Sequence, residues 1–143
     1  MGLTKIFLDT NILVYFFEDS GPRGTRAQQI VSALSARGDL LILSTLSLGE
    51  LLVKPLQSQD HALADSYRRF VHSPEVRLLS FDERASELFA RIRQDRGVKP
   101  PDAIHLASAG TEGCDLFITN DDRLSRKLVP GIRFITSMNN API

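Results

Sequence analysis

The chain has 143 residues, 43% of them apolar and 24% charged, with seventeen basic and seventeen acidic side chains for a formal net charge of zero. This length fits one domain with a real core, and the composition is ordinary for a soluble globular protein. The balance excludes a strongly basic, charge-driven nucleic-acid binder, and no apolar stretch approaches the ~20 residues of a membrane span.

Two details qualify the charge balance. Thirteen of the seventeen basic residues are Arg, the better fork for phosphate. If four acids were taken up by metal, the remaining surface would be mildly basic. The apolar run after Lys5 is interrupted at Asp9, so no secretory signal is expected. The opening Met-Gly resembles a myristoylation site, but Ile6 stands where Ser or Thr is wanted. The lone cysteine, Cys114, allows no internal disulfide and points to a reducing cytoplasm.

In chain order, Lys5–Leu8 reads as a buried strand and Asn11–Glu18 as a short apolar helix. The breakers of Ser20-Gly-Pro-Arg-Gly24 predict a loop. Thr25–Arg37 is an amphipathic helix, with Ala27, Ile30, Val31 and Leu34 at helical spacing and Thr25 as its cap. Leu40–Leu43 is a second strand, and Ser44 or Thr45 caps a helix to about Val53, interrupted by Pro55. Gln59–His72 is a helix stopped at Ser73-Pro74. Val76–Leu79 is a third strand and Asp82–Arg96 a helix stopped by Gly97. Pro100-Pro101 opens a helix to about Ala109. Leu116–Thr119 is a fourth strand, Arg123–Leu128 a short helix and Ile132–Ile135 a weak fifth strand. Residues 137–143 are polar and expected to be loose. Strands alternating with helices make the class α/β with a parallel sheet, in a single domain over residues 1–143.

Four acids stand beside apolar elements. Asp9 closes the first strand, at the carboxyl edge where open α/β sheets bind ligands; a helix cap is the bland alternative. Glu50 lies within the apolar Leu46-Ser-Leu-Gly-Glu-Leu-Leu-Val, where an unpaired buried carboxylate is costly; the alternative is a solvent stripe or a pair with Lys54. Asp102 sits in the first turn of the Pro-initiated helix, which the macrodipole alone would favour. Its neighbours Ala103, Leu106 and Ala107 let that helix lie close on a sheet. Asp121 and Asp122 follow strand four; Asp122 suits a cap and Asp121 the site. Carboxylates converging within ~4–6 Å repel and need cations at neutral pH. Oxygen donors without a Cys or His pattern suit Mg²⁺ or Mn²⁺, one or two ions clamping a phosphodiester for in-line attack.

The segments Leu8-Asp-Thr-Asn11, Ser47-Leu-Gly-Glu-Leu-Leu52, Pro101-Asp-Ala-Ile-His-Leu-Ala107 and Ile118-Thr-Asn-Asp121, in this order, resemble the PIN-domain family. The similarity is greatest to its compact VapC-like ribonucleases, the toxin half of type II toxin–antitoxin pairs, and covers nearly the whole chain. The resemblance implies a three-layer α/β/α fold with a five-stranded parallel sheet of order 3-2-1-4-5. It implies Mg²⁺- or Mn²⁺-dependent endonucleolytic cleavage of RNA, a homodimer, and a small antitoxin that wraps the toxin and blocks the site. By the same match Asp9, Glu50, Asp102 and Asp121 are the catalytic acids, with Asp9, Asp102 and Asp121 holding metal and Glu50 holding metal or orienting the attacking water. Asn11 and Thr119 are their polar supports, and Asp122 is a second candidate for the role of Asp121.

Arg23, Arg26, Lys99 and Arg123 stand in loops or helix ends from which they could grip RNA; solvated surface residues are the bland alternative. His61 and His72 read as surface residues, His105 as a packed, hydrogen-bonded residue one turn beyond Asp102, and Cys114 as a small buried hydrophobe. Two rivals remain. An aspartyl-phosphoryl hydrolase of the haloacid-dehalogenase type would use Asp9 as nucleophile, but wants a second Asp where this chain has Asn11. A non-catalytic PIN-like RNA-binding module would not need all four acids.

Overall fold

Apolar runs without polar alternation belong to a sheet covered on both faces, and five such runs pair here. The computed structural model describes residues 4–143. Strands β1 (Lys5–Leu8), β2 (Leu40–Ser44), β3 (Val76–Leu79), β4 (Cys114–Thr119) and β5 (Ile132–Ser137) form one sheet of order β3-β2-β1-β4-β5. All four pairings are parallel, with Phe7 opposite Ile42 on one side and Phe117 on the other. This is the PIN-like α/β fold and strand order that the resemblance implies.

The pleat divides the core. Ile6, Leu8, Leu41, Leu43, Leu116 and Ile118 face one layer, made by α1 (Thr10–Glu18), α2 (Pro22–Arg37), α3 (Thr45–Gln57) and α4 (His61–Val71). Phe7, Ile42 and Phe117 face the other, made by α5 (Glu83–Ile92) and α6 (Pro100–Glu112). Phe7 and Phe117 stack at 4.7 Å between centroids. α6 carries Ala103, Ala107, Ala109 and Gly110 among its buried residues, and these small side chains let its backbone approach the sheet.

Several boundaries differ from the sequence reading. The expected 20–24 loop closes at Pro22, whose fixed φ suits a first helical position. Gly24 lies inside α2 and is no breaker: only glycine fits there, since a Cβ would stand 1.7 Å from the Asp19 carbonyl oxygen. Thr25 is therefore not the cap; its hydroxyl donates to the Gly21 carbonyl at 3.3 Å. α3 runs through Pro55 to Gln57, since the proline ring is buried and forfeits one ladder bond near the helix end. α5 stops at Ile92, four residues early, where Arg93 turns back to donate to the Val98 carbonyl at 2.7 Å. The short helix before β5 is one 3-10 turn, Leu124–Arg126.

Residues 137–143, expected to be loose, are held down. Ser137 ends β5 and is buried, as are Met138 and Ala141. The Arg26 guanidinium donates to the carbonyls of Met138 and Ala141, both at 3.0 Å. No helix among the described residues is long and apolar enough to cross a membrane.

Candidate active site

Three of the sheet's strands end at one edge and hand over to the segments that carry the acids. β1 runs directly into Asp9, which is buried and caps α1: its Oδ1 accepts from the Thr10 amide at 2.9 Å. β4 ends at Thr119, whose hydroxyl donates to Asp9 Oδ2 at 2.8 Å and accepts from the Asp121 amide at 3.0 Å. One hydroxyl thus ties together the acids following two neighbouring strands. β2 ends at Ser44, which caps α3 in a reciprocal arrangement with Ser47 and so aims the helix that bears Glu50. Asp102 enters from the first turn of α6.

Asp9, Glu50, Asp102 and Asp121 line one cleft of about 310 Å³, with Thr10, Asn11, Val14 and Asn120 completing its wall. Asp122 does not face it; it is exposed and lines a neighbouring groove. The cap expected of Asp122 is not made: the 3-10 turn has no side-chain cap, and Asp121 Oδ1 accepts instead from the Arg123 amide that precedes it, at 2.9 Å.

The four carboxylates fall into two electrostatic classes. Burial pushes the Asp9 carboxyl up from its ordinary value, although the Thr119 and Thr10 hydrogen bonds pull against it. Burial also raises Asp102, with Asp9 and Asp121 adding repulsion. Burial acts on Glu50 in the same sense, but hydrogen bonds from His105 and Thr10 outweigh it and the net shift is downward. Asp121 is likewise lowered against its partial burial, by the amide and guanidinium of Arg123. Glu50 and Asp121 therefore have partners that favour their charge, while Asp9 and Asp102 oppose each other in a half-closed cleft.

The network around Glu50 includes residues that sequence reasoning missed. Its Oε1 accepts from the Thr10 hydroxyl at 2.6 Å and lies 2.7 Å from His105 Nε2. His105 Nδ1 lies 2.9 Å from Ser44 Oγ. One assignment satisfies every atom: Ser44 donates to Nδ1, and Nε2–H donates to Glu50. His105 is packed and hydrogen-bonded, as its sequence context suggests, but its partner is Glu50 and not Asp102. The spacing of three from Asp102 put it on the right helix face; nothing local pointed to Thr10 or Ser44. Lys54 pairs with Glu18 at 3.4 Å, not with Glu50.

The proposed RNA-gripping cations separate. Arg26 is committed to the C-terminal carbonyls, and Arg123 pairs with Asp121 at 3.5 Å. Lys99 is exposed at the start of α6. Arg23 lies over the Tyr15 ring, 5.4 Å from its centroid. His61 and His72 are exposed, and Cys114 is a free, buried thiol pushed up to about 12 by burial.

Among the described residues, no three His, Cys, Asp or Glu side chains form a ready set of ligands for one ion. The donors nevertheless fit a hard cation: Asp9 and Asp102 are oxygen ligands whose charge is under-compensated in the cleft, and Mg²⁺ typically takes one or two carboxylates and keeps several waters.

The fold is similar to that of VapBC2 from Rickettsia felis, solved bound to a DNA fragment from its promoter, with a TM-score of 0.73 and 18% identity over 94% of this chain and 98% of that one. It is similar to VapC20 of Mycobacterium tuberculosis, a sarcin–ricin loop cleaving toxin, with a TM-score of 0.69 and 20% identity over 90% and 98%. A toxin–antitoxin complex from Klebsiella pneumoniae matches with a TM-score of 0.65 and 26% identity over 89% and 94%. No curated protein matches the sequence. The family model for the PIN domain matches residues 6–128, from the first strand through the last acid and beyond, and the chain belongs to the PIN-domain family.

Proposed function

We propose that the chain is a Mg²⁺- or Mn²⁺-dependent endoribonuclease, the toxin of a toxin–antitoxin pair. The observation that carries this reading is the cleft itself, where acids from four separate segments meet and burial penalises the charge of two of them, Asp9 and Asp102, more than their neighbours offset it. Membership in the PIN family and the likeness to solved toxin–antitoxin proteins support it.

Asp9, Asp102 and Asp121 would hold the metal, directly or through water. A bound divalent ion lowers the pKa of a water and neutralises charge developing on phosphate. The chain's own residues do the rest. Thr119 fixes the rotamer of Asp9 and the backbone of Asp121 at once. Thr10 and His105 clamp Glu50 through Oε1, holding it ionised and leaving Oε2 to orient the attacking water. In-line attack leaves 5′-phosphate and 3′-hydroxyl ends. The same reading makes the protein a cytoplasmic homodimer held in check by a small antitoxin.

The haloacid-dehalogenase alternative wants a second Asp two residues after Asp9, where this chain has Asn11. It also gives Glu50 and Asp102 no task.

The test is cleavage of a mixed RNA pool by partner-free protein in Mn²⁺, in EDTA, and by Asp9→Asn. Cleavage confined to the parent protein in Mn²⁺, with 5′-phosphate ends, is the expected result. Cleavage that persists in EDTA or in Asp9→Asn would overturn the mechanism. A folded protein that neither cleaves nor binds Mn²⁺ would return the chain to a non-catalytic module.

A further inference from the structure

A second polar groove, of about 260 Å³, adjoins the acidic cleft, and Asn120 lines both. Its other walls include Tyr15, Arg23, Asp122, Met138 and Asn139. Tyr15 follows Val14 of the cleft wall along α1, so one helix turn borders both depressions. Arg23 projects from the first turn of α2 and lies over the Tyr15 ring. Among the described residues, the side chains of Arg23, Asn120, Asp122 and Asn139 have no hydrogen-bond or ion-pair partner in the protein.

This inventory has a chemical sense. Arg23 is the cation beside the cleft that Arg26 and Arg123 are not, since both of those are committed elsewhere. An aromatic ring and a guanidinium plane are the surfaces on which unstacked RNA bases rest. Asn120 and Asn139 offer donors and acceptors to a base edge. The Asp122 carboxylate only accepts. Cytosine, adenine and guanine each present an exocyclic amino group to such an acceptor, whereas the donor on uracil's edge is its N3–H alone, flanked by two carbonyl oxygens that repel a carboxylate.

We propose that this groove is a nucleotide-recognition subsite: it takes the base beside the scissile phosphate of a single-stranded RNA, stacks it on Tyr15 in place of the exposed Arg23 guanidinium, which turns to the neighbouring phosphate, and through Asp122 selects an amino-bearing base over uracil. The inference rests on the nuclease reading for its substrate class, and it is tested by binding so that the two can fail separately.

The probes are fluorescein-labelled oligoadenylate, oligocytidylate and oligouridylate six-mers, titrated by anisotropy against Asp102→Asn protein in Mn²⁺. Oligouridylate is expected to bind weakest. Arg23→Gln weakens all three and lowers the slope of log affinity against log salt by about 0.7, the share of one phosphate contact on a single strand. Tyr15→Ala costs roughly tenfold, within the range for loss of one base–aromatic stack, and Tyr15→Phe restores it. Asp122→Asn removes the discrimination against oligouridylate. Arg23 is exposed, so its variant reports even if Tyr15→Ala fails to fold.

Unchanged affinity and salt slope in Arg23→Gln, or an unchanged base preference in Asp122→Asn, would overturn the subsite. Cleavage of the RNA pool by the parent protein, run alongside, separates the two ideas. Cleavage with unaffected binding leaves the nuclease standing without the subsite. The binding pattern without cleavage leaves an RNA groove on a protein that is not a nuclease.

Discussion

Asp9 and Asp102 hold their protons more tightly in the fold than their ordinary value of 3.8 allows, because burial and mutual repulsion penalise the charged forms. The sign of the consequence follows from linkage. Between 3.8 and the raised value the folded state binds more protons than the unfolded, so the contribution of these two groups to stability is lost as pH rises through that window. Glu50 and Asp121 are shifted the other way, and their contribution is lost on acidification. Asp102→Asn removes one member of the unfavourable pair. In EDTA at neutral pH it is expected to melt about 2–4 °C above the parent, the equivalent of roughly 1 kcal/mol in a chain of this size, with solvent screening at a half-buried site keeping the gain small. The gap closes below pH 3.8, where the parent is protonated too. Thermal melts across pH check this, and a destabilised Asp102→Asn would contradict it.

At the scale of elements, two contacts fix how α2 meets its neighbours. The turn from α1 into α2 brings Gly24 against the Asp19 carbonyl with no room for a side chain. Gly→Ala in a helix ordinarily stabilises by about 1 kcal/mol; Gly24→Ala is expected to destabilise instead, read as a lower urea midpoint. The C-terminal segment is the other case. Arg26 donates to two of its carbonyls, and hydrogen bonds from a charged donor contribute about 1.5–3 kcal/mol each when well shielded. Arg26→Ala should therefore accelerate amide exchange across residues 138–143 while amides in β1 and β4 keep their protection. Equal acceleration in the central strands would mean that the segment is part of the global folding unit and not a strap across its surface.

For the whole molecule, the formal charge is zero, yet four of the seventeen acids line one cleft. The acids gather at one sheet edge, and a cation bound there stabilises the fold by mass action. Mn²⁺ at a hundred times its Kd should add about 2.7 kcal/mol, seen as a higher melting temperature that Asp9→Asn abolishes. A shift of the same size in Asp9→Asn would place the ion elsewhere.

The β-strands and their α/β class were legible in the sequence because burial on both faces leaves continuous apolar runs, a local signal. Asp9 and Asp121 were legible as acids directly following such runs, Glu50 as a charge inside an apolar helix, and Asp102 by its place after the proline pair. The helix ends at Pro22, Gln57 and Ile92 were not, because a carbonyl brought close, the buried ring of Pro55 and a returning Arg93 overrode local propensity. Nor was the clamp on Glu50: Thr10 is 40 residues away and His105 is 55 away, and no local pattern encodes a hydrogen bond across such separations. Arg26 reads as a surface cation until the chain returns 112 residues later to meet it. Residue type and hydrophobic period determine which elements form and which acids sit at their ends. Only packing determines which polar groups those acids meet, and hence which carboxylates have their charge favoured by the protein, as Glu50 and Asp121 do, and which have it penalised by burial, as Asp9 and Asp102 do.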